Sequence, residues 1–212
     1  MPRKAIDPIS KYERMKRDAA ARNAAASLSG RDIGELPKVK NPRRKKKCKD
    51  DLLAFCQNYF KAAFYLSFSP DQKKCISKIE DTVKQGGRFA FAMPRGSGKS
   101  TILKIGCIWA LFYGHRSFVA LIQASETMAA SALNDIKMAI QTNDELIADF
   151  PEVCYPILKL DGIANRCAGQ LYHGERTLIT WTANEIILPT IKGSPASGAI
   201  IRVAGITGAM RG

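Results

Sequence analysis

The sequence has no stretch of about 18 consecutive apolar residues, so no transmembrane helix is expected. Its N-terminus is charged and polar and carries no apolar core of the kind a secretory signal needs, so no signal peptide is expected either. Histidine is nearly missing: His115 and His173 are the only two, and they stand far apart. The six cysteines, at positions 48, 56, 75, 107, 154 and 167, are scattered and never form C-x-x-C. No zinc-ligand spacing arises, Cys107 reads as core filler in an apolar helix, and a reducing cytoplasm suits this usage. Acidic residues are also scarce, 19 Asp/Glu against 33 Lys/Arg, for a net charge of +14.

That charge is uneven. Residues 1–50 hold 16 Lys/Arg and 6 Asp/Glu, whereas residues 51–212 hold 17 and 13. A basic leader, residues 1–49, therefore precedes a better balanced body, residues 50–212. Lys11–Leu28 is rich in Ala, Arg and Lys and has helical propensity but little apolar face. Arg43-Arg44-Lys45-Lys46-Lys47 is a five-residue basic run, which repels itself and is expected to be exposed. Such a leader favours a polyanion, usually nucleic acid, through counterion release; a solvated tail is the alternative.

The body begins with apolar residues at helical spacing from Asp51 to Phe68, an amphipathic helix. Ser69-Pro70-Asp71-Gln72 then starts another, with Ser69 as N-cap and Pro70 in its first turn. Gly86-Gly87 ends it. Phe89-Ala90-Phe91-Ala92 reads as a short apolar strand, followed by Met93-Pro94-Arg95-Gly96-Ser97-Gly98-Lys99-Ser100-Thr101. Strand, glycine-bearing loop and helix start are the parts of a phosphate cradle. Gly96 and Gly98 let backbone approach an anion. The helix N-terminus offers free N–H groups and a positive dipole end. Lys99 is placed to reach the β- and γ-phosphates of a nucleotide, and the Ser100 hydroxyl to sit on Mg²⁺. The pattern G-x-x-x-x-G-K-[ST] wants a leading glycine where this chain has Met93.

Lys99–Tyr113 is a helix apolar nearly all round. Ser117–Gln123 is a second strand, also a continuous apolar run, which predicts a parallel sheet buried on both faces and a βαβ unit. Ser125 caps a helix running to about Thr142, Asn143–Phe150 reads as a short helix, and Pro151 and Pro156 bracket an irregular segment through Gly162. Thr177–Thr190 alternates and turns at Ala183-Asn184, a β-hairpin signal, and Ala199–Val203 is a further strand. A nucleotide hydrolase also needs an apolar strand ending in acid. Asp149, Asp161 and Glu185 are the candidates, and none follows four apolar residues or begins an acidic pair.

Five segments together carry a resemblance: Phe68–Gln72, Ala92–Thr101, Leu121–Ser125, Trp181–Thr190 and Gly205–Gly212. In this order and spacing, over residues 50–212, they resemble the N-terminal ATPase half of tailed-phage terminase large subunits, the DNA-packaging motors. A phosphate loop that contains arginine and lacks the leading glycine is characteristic of that family, which accounts for Met93. The resemblance implies an α/β fold: a P-loop NTPase-type parallel sheet flanked by helices, incomplete, with a β-hairpin insertion and a basic helical or disordered leader. It implies ATP and Mg²⁺ as cofactors. Gln72 would contact adenine and Arg95 would sense or stabilise the γ-phosphate. Gly96, Ser97, Gly98, Lys99, Ser100 and Thr101 would cradle phosphates and, through Ser100, Mg²⁺. Arg95 and Lys99 are the catalytic expectations. Arg211 lies where the family approaches its acidic strand. That strand and the family's nuclease domain are expected to be missing. Double-stranded viral DNA, a small subunit and the capsid portal are the implied partners, with no membrane, a possible homo-oligomeric ring and a host-cytoplasmic location. Two alternatives remain open: a fragment of a helicase-class DNA-dependent ATPase, and a remnant that binds nucleotide or nucleic acid without turnover.

Overall fold

The computed structural model describes residues 8–29 and 31–206 of the chain. Helix α1 spans Pro8–Ser29, and a short helix α2, Pro42–Lys47, follows it. Then come α3 (Leu52–Tyr59), α4 (Pro70–Gln85) and α5 (Lys99–Phe112). Strand β1 (Phe118–Gln123) leads to α6 (Glu126–Thr142), α7 (Asp144–Asp149) and α8 (Pro151–Leu158). A 3₁₀ turn at Ala164–Gly169 precedes β2 (Leu171–Tyr172), β3 (Glu175–Arg176), β4 (Thr180–Trp181), β5 (Glu185–Ile187) and β6 (Ile200–Gly205). The class is α/β. Among the described residues, no helix is long and apolar enough to cross a membrane.

Local chemistry explains most of the helix starts. Asp51, Ser69, Ser125 and Asn143 each accept a backbone N–H from the first turn of α3, α4, α6 and α7. At α4 the cap is reciprocal: Ser69 Oγ accepts from Gln72 N, and Gln72 Oε1 accepts from Ser69 N. Helix α3 stops at Tyr59 rather than running to Phe68, because Asn143 Nδ2 donates to the Tyr59 carbonyl at 2.6 Å and Phe60–Phe64 close a turn. The segment expected to be irregular from Pro151 through Gly162 is helical as far as Leu158 and a turn from there. Pro151 occupies the first turn of α8, where its missing N–H costs nothing, and Pro156 removes one bond of a two-turn helix.

The sheet is mixed, in the order β1-β6-β5-β4. β1 and β6 pair in parallel, from Phe118↔Ile200 to Gln123↔Gly205. β5 pairs antiparallel with β6 and with β4, so the expected hairpin forms, with Glu185 opposite Arg202. The expectation of a parallel sheet therefore holds for one strand pair and gives way to antiparallel pairing at the hairpin. The strand expected at Phe89–Ala92 is not one: the residues belong to no ladder among the described residues, and Phe89 is 41% exposed. β1, expected to be buried on both faces, is covered on one. Val119 and Leu121 pack on the core, whereas Phe118 and Ile122 are 52% and 58% exposed. An apolar run gives the strand preference of a segment; burial on a second face needs a neighbour that the run itself does not supply.

The core is aromatic where α3, α5 and α7 meet. Phe55, Tyr59, Tyr113 and Phe150 stack tilted or edge-on, with centroids 4.8–6.5 Å apart. Residues 31–48 pack against this body. Lys40 N donates to the Ala148 carbonyl, Trp109 Nε1 to the Cys48 carbonyl and Tyr113 Oη to the Lys45 carbonyl. The basic run is thus half tied down. Arg44 Nε donates to Asp149 Oδ2 at 2.6 Å and Lys45 Nζ to Glu152 Oε1 at 2.6 Å, while Arg43, Lys46 and Lys47 stay exposed. Asp149 is fully buried and also accepts from Asn41 N (2.9 Å) and Tyr59 Oη (2.8 Å). The hydrogen bond to Asp149 raises the Arg44 pKa above its usual value.

Two predictions follow from these carboxylates. Asp149→Ala strands the half-buried Arg44, and its unfolding free energy, read from urea midpoints, is expected to fall by about 3–5 kcal/mol; a loss under about 1 kcal/mol would contradict the role assigned to it. Asp32 accepts from Gly174 N and Gly34 N, both at 2.9 Å, which lowers its pKa below the ordinary 3.8. A lowered carboxylate stabilises the fold above its unfolded pKa, and the contribution is lost as pH falls through the folded one. Asp32→Asn is therefore expected to melt earlier than the parent at neutral pH, with the gap closing below about pH 3.

Candidate functional site

The loop expected to cradle phosphate, Met93–Thr101, lies between α4 and α5. Gly96 and Gly98 both lie in the left-handed region, at φ 78° and 77°, a conformation that side chains with a Cβ resist. Gly98 is the N-cap of α5, and no side chain caps that helix. Its first N–H groups therefore point into the loop without a side-chain acceptor. Lys99 folds back over the loop, its Nζ donating to the Met93 and Pro94 carbonyls at 3.1 Å each. Ser97 Oγ is buried and has no hydrogen-bond partner. A buried orphan hydroxyl needs an explanation, and an anion admitted to the loop would supply an acceptor.

Gln72 is committed at both ends of its amide. Its Oε1 accepts from Ser69 N, and its Nε2 donates to the Ser97 carbonyl at 2.9 Å. It braces the loop against the head of α4. Reading a base with both faces of this amide would require it to release both bonds. Arg95 is exposed at the tip of the loop, Thr101 is partly buried in the first turn of α5, and Ser100 is exposed. Gly96, Ser97, Gly98, Lys99, Ser100 and Thr101 are consecutive, so the structure gathers them into one turn. Arg211 and Gly208–Gly212 lie outside the described residues.

Ser100 opens onto a cleft of about 220 Å³ between α5, the end of β1 and α6, which Leu121, Gln123, Ser131 and Asp135 also line. The cleft reaches the carboxyl end of β1 through Gln123, and the carboxyl ends of strands are where open α/β sheets place ligands. Asp135 accepts from Lys104 Nζ at 2.5 Å across it. Sequence reasoning missed this pair. Lys104 stood out only as the interruption of an apolar helix, and Asp135 is one polar residue on α6 with no local signal of its own. The three acids weighed in the sequence are engaged elsewhere: Asp149 with Arg44, Asp161 with Arg166, and Glu185 with Arg202. Among the described residues, no group of three or more His, Cys, Asp or Glu side chains is arranged to hold a metal ion.

Comparison of the chain with protein-family models, with curated proteins and with solved structures returned no match.

The end of β6 is constrained by the start of α6. A Cβ on Gly205 would stand 2.4 Å from Glu126 N and 2.7 Å from the Ser125 carbonyl carbon, both backbone atoms at the start of α6. Gly205→Ala is expected to push α6 away from β6 and to cost about 1–3 kcal/mol in a thermal or urea melt. A neutral result would show that this junction gives way freely.

Proposed function

We propose that the chain binds ATP, with Mg²⁺, at the loop Met93–Thr101, as the nucleotide-binding portion of a terminase-like motor that packages viral DNA. The observation that carries the nucleotide reading is the loop itself. It combines two left-handed glycines, an uncapped α5 N-terminus, Lys99 folded onto the Met93 and Pro94 carbonyls, and the orphan Ser97 hydroxyl. The order and spacing of the sequence segments that flank the loop support the packaging-motor reading.

The residues fit the group they would receive. Backbone N–H groups of 98–101 and the Lys99 ammonium offer charge-assisted donors to phosphate oxygens. The Ser100 hydroxyl, at the mouth of the cleft, would contribute a ligand to Mg²⁺. Lys99 would exchange two carbonyl acceptors for phosphate oxygens, so it would move rather than be built anew. Arg95, at the exposed tip, is free to swing toward a γ-phosphate. Bound ATP and its metal supply the phosphoryl-transfer chemistry, and the chain's part is to hold and orient the phosphates. A P-loop NTPase architecture is part of this proposal. So are double-stranded viral DNA, a small subunit, the capsid portal and a host-cytoplasmic setting.

A second reading is binding without turnover, by a remnant of such a motor or of a helicase-class ATPase. What favours it is that the carboxylate beside Ser100, Asp135, is already paired with Lys104.

Titration of the full chain with ATP and Mg²⁺ tests the site. Lys99→Ala is expected to weaken binding by about tenfold or more, the worth of charge-assisted bonds to phosphate. Equal affinity in parent and variant would overturn the nucleotide reading. Phosphate release measured with and without duplex DNA then separates the two readings. Turnover that needs Lys99 and rises with DNA supports a motor, and binding with no turnover supports the second reading.

A further inference from the structure

A wide cleft lies away from the loop Met93–Thr101. It encloses about 800 Å³ between the linker that follows α1, the end of α8 and the 3₁₀ turn, and it shares no lining residue with the loop or with the cleft beside Ser100. Its ionisable lining is Arg31, Lys159, Arg166 and Asp32. Asp32 is the one acid among them, and both of its oxygens are taken, Oδ1 by Gly34 N and Oδ2 by Gly174 N. Arg166 is paired with Asp161. Among the described residues, Arg31 and Lys159 have no carboxylate partner. Arg31 lies along Gly169, with its Cδ, Nε and Nη1 at 3.5–3.8 Å from the place a Cβ would occupy. The Lys159 ammonium stands 5.2 Å from the centre of the Tyr155 ring.

The walls are fixed. The linker is stitched to β2 by Ile33 N donating to the Leu171 carbonyl and Leu171 N to the Arg31 carbonyl. The floor residue Gln170 is buried, donating to the Pro156 carbonyl and accepting from Thr177 Oγ1. The site is therefore a concavity that holds a guanidinium fork and an ammonium without carboxylate partners among the described residues, beside an ionised Asp32 whose oxygens are held by backbone N–H groups. That pair is the donor set that recognises phosphoryl oxygens, the arginine in a bidentate manner and the lysine as a point charge. The volume lies in the range of small-molecule sites, well above a bare anion.

We propose that this cleft is a second anion site, which takes a phosphoryl group carried on a larger body, with Arg31 and Lys159 as its direct contacts. The carrier is either a free pyrophosphate-type ligand or the backbone of a nucleic acid, and both present the same oxygens to the same two cations. The inference does not depend on the reading of the phosphate loop.

The test uses the full chain bearing Lys99→Ala, so that the phosphate loop does not contribute. Binding of inorganic pyrophosphate and of a short DNA duplex is measured at about 0.15 M salt, where exposed charges are screened. Arg31→Gln with Lys159→Gln is compared with Lys46→Gln with Lys47→Gln, which removes the same charge from the exposed side of α2. The cleft pair is expected to weaken at least one probe by about tenfold, and the α2 pair to change it by less than about threefold. Loss confined to pyrophosphate identifies a free ligand, and loss on the duplex identifies a backbone. The proposal is overturned if neither probe binds in the millimolar range, if the cleft pair binds as the parent does, or if the two pairs weaken binding equally. Far-ultraviolet circular dichroism and melting of the cleft variant confirm that it is folded. Should that variant unfold, Arg31→Lys and Lys159→Met tested singly give the same comparison, and unaltered binding in both overturns the proposal.

Discussion

The buried carboxylate of Asp149 is the contact on which the body depends. It closes α7 and accepts three donors from three places: the backbone of Asn41, the guanidinium of Arg44 and the hydroxyl of Tyr59. A carboxylate with no access to water is tolerable only when its lone pairs are filled and its charge is answered. Meeting that condition fixes the start of α2, the end of α3 and the path of the preceding linker in one step. The aromatic cluster of Phe55, Tyr59, Tyr113 and Phe150 packs directly beside it, so the polar hub and the apolar core hold each other in register. In the sequence the same acid stands among the candidates for a hydrolytic residue. Its geometry assigns it to the framework instead.

What was legible in the sequence is what is decided locally. The starts of α3, α4, α6 and α7 are written in Asp51, Ser69, Ser125 and Asn143, because a capping oxygen needs only the next three residues. The loop at Gly96–Thr101 was legible for the same reason: two glycines and a helix start determine where the N–H groups point. The hairpin of β4 and β5 was legible from its alternation and its turn. What was not legible depends on distant partners. Phe89–Ala92 has strand composition but no ladder. The docking of Arg44 and Lys45 could not be read from a run of five basic residues, because the acids that hold them lie 105 and 107 positions away. The Lys104–Asp135 pair beside Ser100 is hidden for the same reason.

The site and the framework meet at two narrow places. Gln72 joins the capping box of α4 to the Ser97 carbonyl, so any shift of the loop Met93–Thr101 is felt at the head of that helix. Gly205 lets β6 run up against the start of α6, so that junction is a contact of backbone on backbone. Of the two, Gln72 can adapt by rotating its side chain and Gly205 cannot, which separates a movable brace from a rigid stop.

Trp109 carries a consequence of its own. Its indole is fully buried in α5, donates to the Cys48 carbonyl just past α2, and stacks near the His115 ring at 4.4 Å. The chain's other tryptophan, Trp181, sits in the hairpin beneath Lys137. The two indoles therefore report on different halves of the molecule. Emission from Trp109 stays blue only while the segment through Cys48 remains seated, which makes the protein its own fluorescent gauge of whether the basic segment has come away from the body.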